Sequence, residues 1–122
     1  MDFQFEIRWK EVTARLSKIF GGPLELEGVL FVIGVQELGQ GIRKFKKDEK
    51  QDLIHIGICT ILSPYGYYQF SHYDSDRWPH FEALKKLPYL NDRDQKQFIR
   101  RAIIDYFEKE DVIGLSEQTS YD

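Results

Sequence analysis

An uninterrupted apolar run over residues 29–35 constrains the fold of this chain more than any other feature. Because the run has no polar face, the element that it forms must be buried on all sides, near the centre of the fold. The whole segment, residues 24–39, is longer than most strands, so it predicts a central helix. Gly28 and Gly34 lower the helical propensity of this segment, and we therefore expect them to lie where another helix approaches closely.

Three further segments carry apolar residues at helical spacing. They predict helices over residues 2–20, over residues 49–62 and from Asn91 onward, where asparagine is a preferred N-cap residue. A short helix is also predicted over residues 79–87, because proline suits the first helical position and Pro88 cannot continue the helix.

Together these segments predict an all-α fold, a bundle of four main helices plus a short helix, in which the second and third helices pack centrally as a hairpin. We expect a single domain over residues 1–115 and a disordered tail over residues 116–122. The alternative is an α+β fold in which residues 29–35 and 54–62 pair as strands, because residues 53–59 also alternate in polarity.

Charge and cysteine content restrict the class of protein. With 17 basic and 20 acidic residues the net charge is −3, which disfavours a nucleic-acid partner. One cysteine permits no internal disulfide, and neither a signal peptide nor an apolar run of membrane-spanning length is recognisable. We therefore expect a soluble, cytoplasmic protein without a membrane partner.

A polar stripe in the third predicted helix is the first candidate site. Asp52, His55 and Cys59 are spaced so that they share one helix face, and all three side-chain types can bind metal. A structural zinc site needs four ligands in recognisable pairs, so we predict neither a metal nor another cofactor here. Glu37 ends the central helix and would approach Asp52 and His55 in a helix hairpin, where a carboxylate and an imidazole can act as a general base.

Aromatic side chains concentrate between residues 65 and 81, in a segment predicted to be largely an ordered loop. Tyrosine and tryptophan are enriched in binding surfaces, so these rings form the second candidate site. The same rings could instead cover the open side of a small helical core. The candidate interaction surface comprises Tyr65, Tyr67, Tyr68, Tyr73 and Trp78.

The chain contains no recognised catalytic motif, which leaves open whether it is an enzyme. The ring density favours a protein–protein interaction module that contacts another protein or a second copy of this chain through the aromatic segment. The alternative is a small enzyme or ligand-binding protein built around Glu37, Asp52 and His55.

The block from Leu26 to Tyr68 also supports a resemblance. Its apolar run through Gly39, its Asp52-Leu53-Ile54-His55-Ile56 segment and its Ser63-Pro64-Tyr65-Gly66 turn are similar to a small uncharacterised bacterial protein family. The resemblance implies a compact cytoplasmic protein, and no activity, ligand or catalytic residue comes with it.

Overall fold

The computed structural model describes residues 3–41 and 43–110, and these form four α-helices and a two-stranded antiparallel sheet. The helices are α1 (Phe3–Phe20), α2 (Leu26–Leu38), α3 (Lys47–Leu62) and α4 (Asp92–Glu110). Strands β1 (Tyr68–Tyr73) and β2 (Pro79–Ala83) follow α3 after a single 3-10 turn. The fold is therefore mostly helical but not all-α. The predicted tail at residues 116–122 lies outside the described residues.

The chain divides into two compact units, one of which runs from Leu26 to Tyr89 and contains α2, α3 and the sheet. Its centre is an antiparallel helix hairpin, as predicted from the apolar run. Gly34 of α2 lies against the backbone of Leu53, and Gly57 of α3 lies against the backbone of Leu30, so the two contacts run in opposite order along the two helices. The absence of a Cβ at these glycines permits the close approach.

An apolar cluster closes one end of this helix hairpin. It consists of Val35, Leu38, Phe45, Leu53 and Ile56, and the half-buried rings of Phe31, Trp78 and Phe81 pack against it. Phe31 meets Phe45 edge to face, with ring centroids 5.9 Å apart, which is a favoured aromatic geometry. The cluster therefore combines residues of α2, of the connection to α3 and of α3, and the sheet hairpin covers it with Trp78 and Phe81.

The second unit contains α1 and α4. Each helix buries an apolar stripe, with Phe5, Val12 and Leu16 in α1 and Ile103 and Phe107 among the buried residues of α4. An exposed ion pair joins Arg8 to Glu108. The Asn91 side chain accepts a hydrogen bond from the Asp94 backbone amide at 2.8 Å, which confirms the predicted N-cap of α4.

The alternative α+β fold is wrong, and so is the prediction of a short helix after an ordered loop. The segments proposed as alternative strands, residues 29–35 and 54–62, lie within α2 and α3. Conversely, residues 79–83 of the predicted short helix form β2, which pairs with β1 in the segment predicted to be a loop. Proline is tolerated at the first residue of a strand as well as at the start of a helix, and here pairing with β1 decides between the two.

Candidate functional site

A cleft of about 480 Å³ lies between α3 and the sheet hairpin, wholly within the unit that contains both. Carboxylates, imidazoles and apolar side chains share its lining, which is more polar than that of most small-molecule sites. The volume lies within the range of small-molecule pockets. The lining residues are Glu49, Asp52, His55 and Ile56 from α3, and Asp74, Asp76, Trp78, Pro79, His80 and Phe81 from the hairpin.

The α3 side of the cleft presents three polar residues at spacings of three, which places them on successive turns of one face. Glu49 is already engaged, because its Oε1 accepts the Lys46 backbone amide at 2.8 Å and its Oε2 lies 3.8 Å from the Arg43 guanidinium. Glu49 thereby caps the helix start, whereas Asp52 and His55 are exposed toward the cleft.

The hairpin side is organised by Asp74 in the turn between β1 and β2. Its Oδ1 accepts the backbone amides of Asp76 and Trp78 at 2.9 and 3.0 Å, and its Oδ2 lies 2.8 Å from His80 Nε2. Arg77 closes the turn with a φ of 68°, in the left-handed region. One carboxylate therefore fixes the turn and orients an imidazole of the cleft.

These contacts alter the acidity of Asp74. The hydrogen bond from His80 lowers the pKa of the Asp74 carboxyl most, and the backbone amide of Trp78 lowers it further. Hydrogen bonds to the charged form favour that form, so Asp74 remains a carboxylate near neutral pH.

A bulge in β1 positions a second imidazole. The register shifts between Phe70 and His72, so that His72 rather than Ser71 pairs with His80. The two imidazoles stack with centroids 4.8 Å apart and planes 5° from parallel, and the Ser71 hydroxyl lies 2.9 Å from His72 Nδ1. Bulges commonly redirect side chains beside functional sites, and this one brings the His72 ring into contact with the His80 ring.

His55 is held by two neighbours. Its Nε2 lies 3.4 Å from Cys59 Sγ, one helical turn further along α3, and the Tyr68 ring meets it edge on at a centroid distance of 6.3 Å. Cys59 is buried, and burial raises the pKa of its thiol to about 11. Burial also raises the pKa of Tyr68. Cys59 is therefore a neutral thiol, unsuited to act as a nucleophile.

The charge of the cleft is unbalanced. None of the described residues that line it is lysine or arginine. Glu49 and Asp74 have partners, but within residues 3–41 and 43–110 the side chains of Asp52 and Asp76 have no ion-pair partner. Two residues with uncompensated carboxylates therefore line the same cavity as Trp78.

Of the first candidate site, the structure brings three residues together. Asp52 and His55 line the cleft, and Cys59 contacts the His55 ring from the buried side. Glu37 is half-buried and is not among the lining residues. Among the described residues no group of three or more histidine, cysteine, aspartate or glutamate side chains is arranged to hold a metal ion.

The five residues of the second candidate site are divided between two environments. Tyr65, Tyr67, Tyr68 and Trp78 are half-buried, whereas Tyr73 is 56% exposed. Only Trp78 lines the cleft, where it also covers the apolar cluster. Some of these rings are therefore placed to cover the core, whereas Tyr73 is exposed enough to contact another molecule.

Sequence reasoning missed Asp74, Asp76 and His80. The available signal is the run Asp74-Ser75-Asp76 between two segments of aromatic residues, since aspartate and serine favour turns. That run marks a chain reversal only, because the contact of His80 with Asp74 depends on the register of the two strands, which the run does not specify.

Comparison of the chain with protein-family models, with curated proteins and with solved structures finds no match. No helix in the described part of the chain has both the length and the apolar character needed to cross a membrane.

Proposed function

We propose that this protein binds a small organic cation, a ligand with an ammonium or guanidinium group, in the cleft between α3 and the sheet hairpin. The observation that carries the proposal is the pairing of uncompensated Asp52 and Asp76 carboxylates with the Trp78 indole around a cavity whose described lining includes no lysine or arginine. Carboxylates attract a cation, and an indole face attracts it further through its quadrupole.

The remaining lining selects an organic ligand over a bare ion. Ile56, Pro79 and Phe81 supply apolar surface that would contact the body of such a molecule. Glu49 and Asp74 are engaged by backbone amides, so they keep the shape of the cleft while Asp52 and Asp76 contact the ligand. This arrangement suits binding, and the proposal assigns no catalytic step.

Agmatine is a suitable probe, since it carries a guanidinium and an ammonium group on an apolar chain. In a Trp9→Phe background, Trp78 is the remaining tryptophan, and agmatine should change its fluorescence in a saturable manner. Asp52→Asn and Asp76→Asn should each weaken binding about tenfold, since a hydrogen bond to a charged group contributes about 1.4 kcal/mol or more.

The matched control is Asp48→Asn, which removes an exposed α3 carboxylate that does not line the cleft. This variant should bind agmatine within about twofold of the parent protein. Absence of saturable binding, or equal weakening by Asp48→Asn and Asp52→Asn, would contradict a cleft that selects cations.

One observation favours a second function, an aromatic contact surface for a second copy of the chain. The rings of Phe70 and Tyr73 touch at a centroid distance of 4.9 Å while remaining 46% and 56% exposed. Tyrosine is enriched among the residues that contribute most to the stability of protein interfaces. Sedimentation velocity should then show self-association that increases with concentration and is lost in Phe70→Ser/Tyr73→Ser. A monomer at every concentration would eliminate this function.

A further inference from the structure

His55 contributes one of its two ring nitrogens to a contact outside the cleft. Nε2 lies 3.4 Å from Cys59 Sγ, and Cys59 is only 1% exposed, so Nε2 faces the protein interior. The residue as a whole is exposed and lines the cleft, which leaves Nδ1 as the nitrogen available to a ligand. Whether Nδ1 is a donor or an acceptor therefore decides what His55 can recognise.

The protonation state of the Cys59 thiol determines which of the two residues donates the hydrogen bond. Burial raises the pKa of Cys59 to about 11, so the sulfur keeps its hydrogen near neutral pH. A thiol is a weak donor and a weak acceptor, whereas the unprotonated nitrogen of a neutral imidazole is a good acceptor. The favoured arrangement is a hydrogen bond donated by the Cys59 S–H to His55 Nε2. A neutral imidazole carries one hydrogen, and it must then reside on Nδ1.

We propose that Cys59 is a positioning residue that donates its thiol hydrogen to His55 Nε2, so that His55 offers an Nδ1–H donor to the cleft. The edge-on Tyr68 ring, at 88° to the imidazole plane, supports the same orientation. Cys59 thereby acts on the cleft through His55 without lining it.

The part of this inference that concerns the ligand rests on the proposed cation binding, and it restricts which cations we expect to bind. Asp52 and Asp76 attract a cation, whereas an Nδ1–H donor attracts an acceptor oxygen. A carboxylate on the ligand would be repelled by the acidic lining, so a neutral carbonyl or amide oxygen is favoured. The expected ligand carries a cationic group together with a neutral acceptor oxygen.

The tautomer is measured on the free protein, without any ligand. In nitrogen-15 NMR at about pH 8, where imidazole side chains are ordinarily neutral, His55 should show a protonated Nδ1 and an unprotonated Nε2. Cys59→Ser retains a hydroxyl donor and should keep this pattern, whereas Cys59→Ala should shift it toward a protonated Nε2. A protonated Nε2 in the unaltered protein would overturn the inference, whatever the fold of either variant.

The ligand class is tested with L-argininamide and agmatine, which differ by one carboxamide. L-argininamide should bind about tenfold more tightly, as expected of one additional hydrogen bond. That preference should persist in Cys59→Ser and disappear in Cys59→Ala. If neither compound binds, the proposed function fails while the tautomer measurement still decides the role of Cys59. If both bind equally to the unaltered protein, the proposed ligand class is wrong although cation binding stands.

Discussion

Alanine in place of Gly57 is expected to lower the free energy of unfolding by about 3 kcal/mol, the upper range for overpacking a core. A Cβ at this position would lie 2.2 Å from the Leu30 carbonyl oxygen and 3.0 Å from its carbonyl carbon. Both are backbone atoms of α2, which cannot rotate away as a side chain would. Alanine is the better helix former by about 1 kcal/mol, so destabilisation would show that the helix contact outweighs propensity.

Gly34 provides an independent version of the same test from the other helix. A Cβ there would lie 2.0 Å from the Leu53 carbonyl oxygen, so Gly34→Ala should destabilise at least as strongly as Gly57→Ala. The double variant should lose less than the sum of the two single effects, because either substitution alone already forces α2 and α3 apart.

Gly22→Ala is the matched control, since no atom of the described residues lies within 4 Å of a Cβ at Gly22 and its φ is not in the left-handed region. It should change the free energy of unfolding by no more than about 0.5 kcal/mol. Urea unfolding followed by circular dichroism measures the three single variants and the double variant on one scale. A Gly57→Ala protein as stable as the Gly22→Ala protein would show that the two helices are not in backbone contact.

The helices could be predicted because their information is local. The unbroken apolar run over residues 29–35 predicts burial on every side. Helix α2 buries most of the run, although Phe31 and Val32 remain partly exposed. Gly34 could be predicted as a point of close approach because it interrupts an otherwise good helix. Gly57 could not, since residues 53–59 fit an alternating pattern as well as a helical one.

The sheet hairpin could not be predicted because its information is non-local. Pro79 is equally acceptable at the start of a helix and at the start of a strand. What decides is the pairing of Phe70 with Phe81 across the turn, at a ring distance of 6.0 Å, and the closure of that turn by Asp74. Neither can be recognised from the composition of one segment alone.

The residues of the candidate site also differ in whether local sequence could predict their positions. Asp52 and His55 lie three positions apart on one helix, so their shared face follows from helical geometry alone. The opposite wall of the cleft depends on the bulge that pairs His72 with His80, and no periodicity in the sequence marks that bulge. Half of the site was therefore visible in the sequence, and the other half required the fold.

Trp78→Ala is expected to lower the free energy of unfolding by about 3 kcal/mol, near the lower end for tryptophan truncation because the ring is only half-buried. The ring packs against the cluster of Val35, Leu38, Phe45, Leu53 and Ile56. Removing it exposes that cluster and leaves an indole-sized void over it. Urea unfolding followed by circular dichroism is again the measurement, because the substitution removes a fluorophore.

Tyr89→Ala is the control for Trp78→Ala, since Tyr89 is 100% exposed and its loss should cost no more than about 0.5 kcal/mol. Trp78→Phe should recover most of the stability, because a smaller ring still covers the cluster, yet it should weaken cation binding, because phenyl attracts cations less than indole does. If the Trp78→Ala protein is as stable as the unaltered protein, the ring does not stabilise the apolar cluster and contributes only to the cleft. If Trp78→Ala loses stability and Trp78→Phe recovers it, the Trp78 side chain both covers the apolar cluster and forms a wall of the cleft. The ligand would then contact a ring that the fold already holds in place.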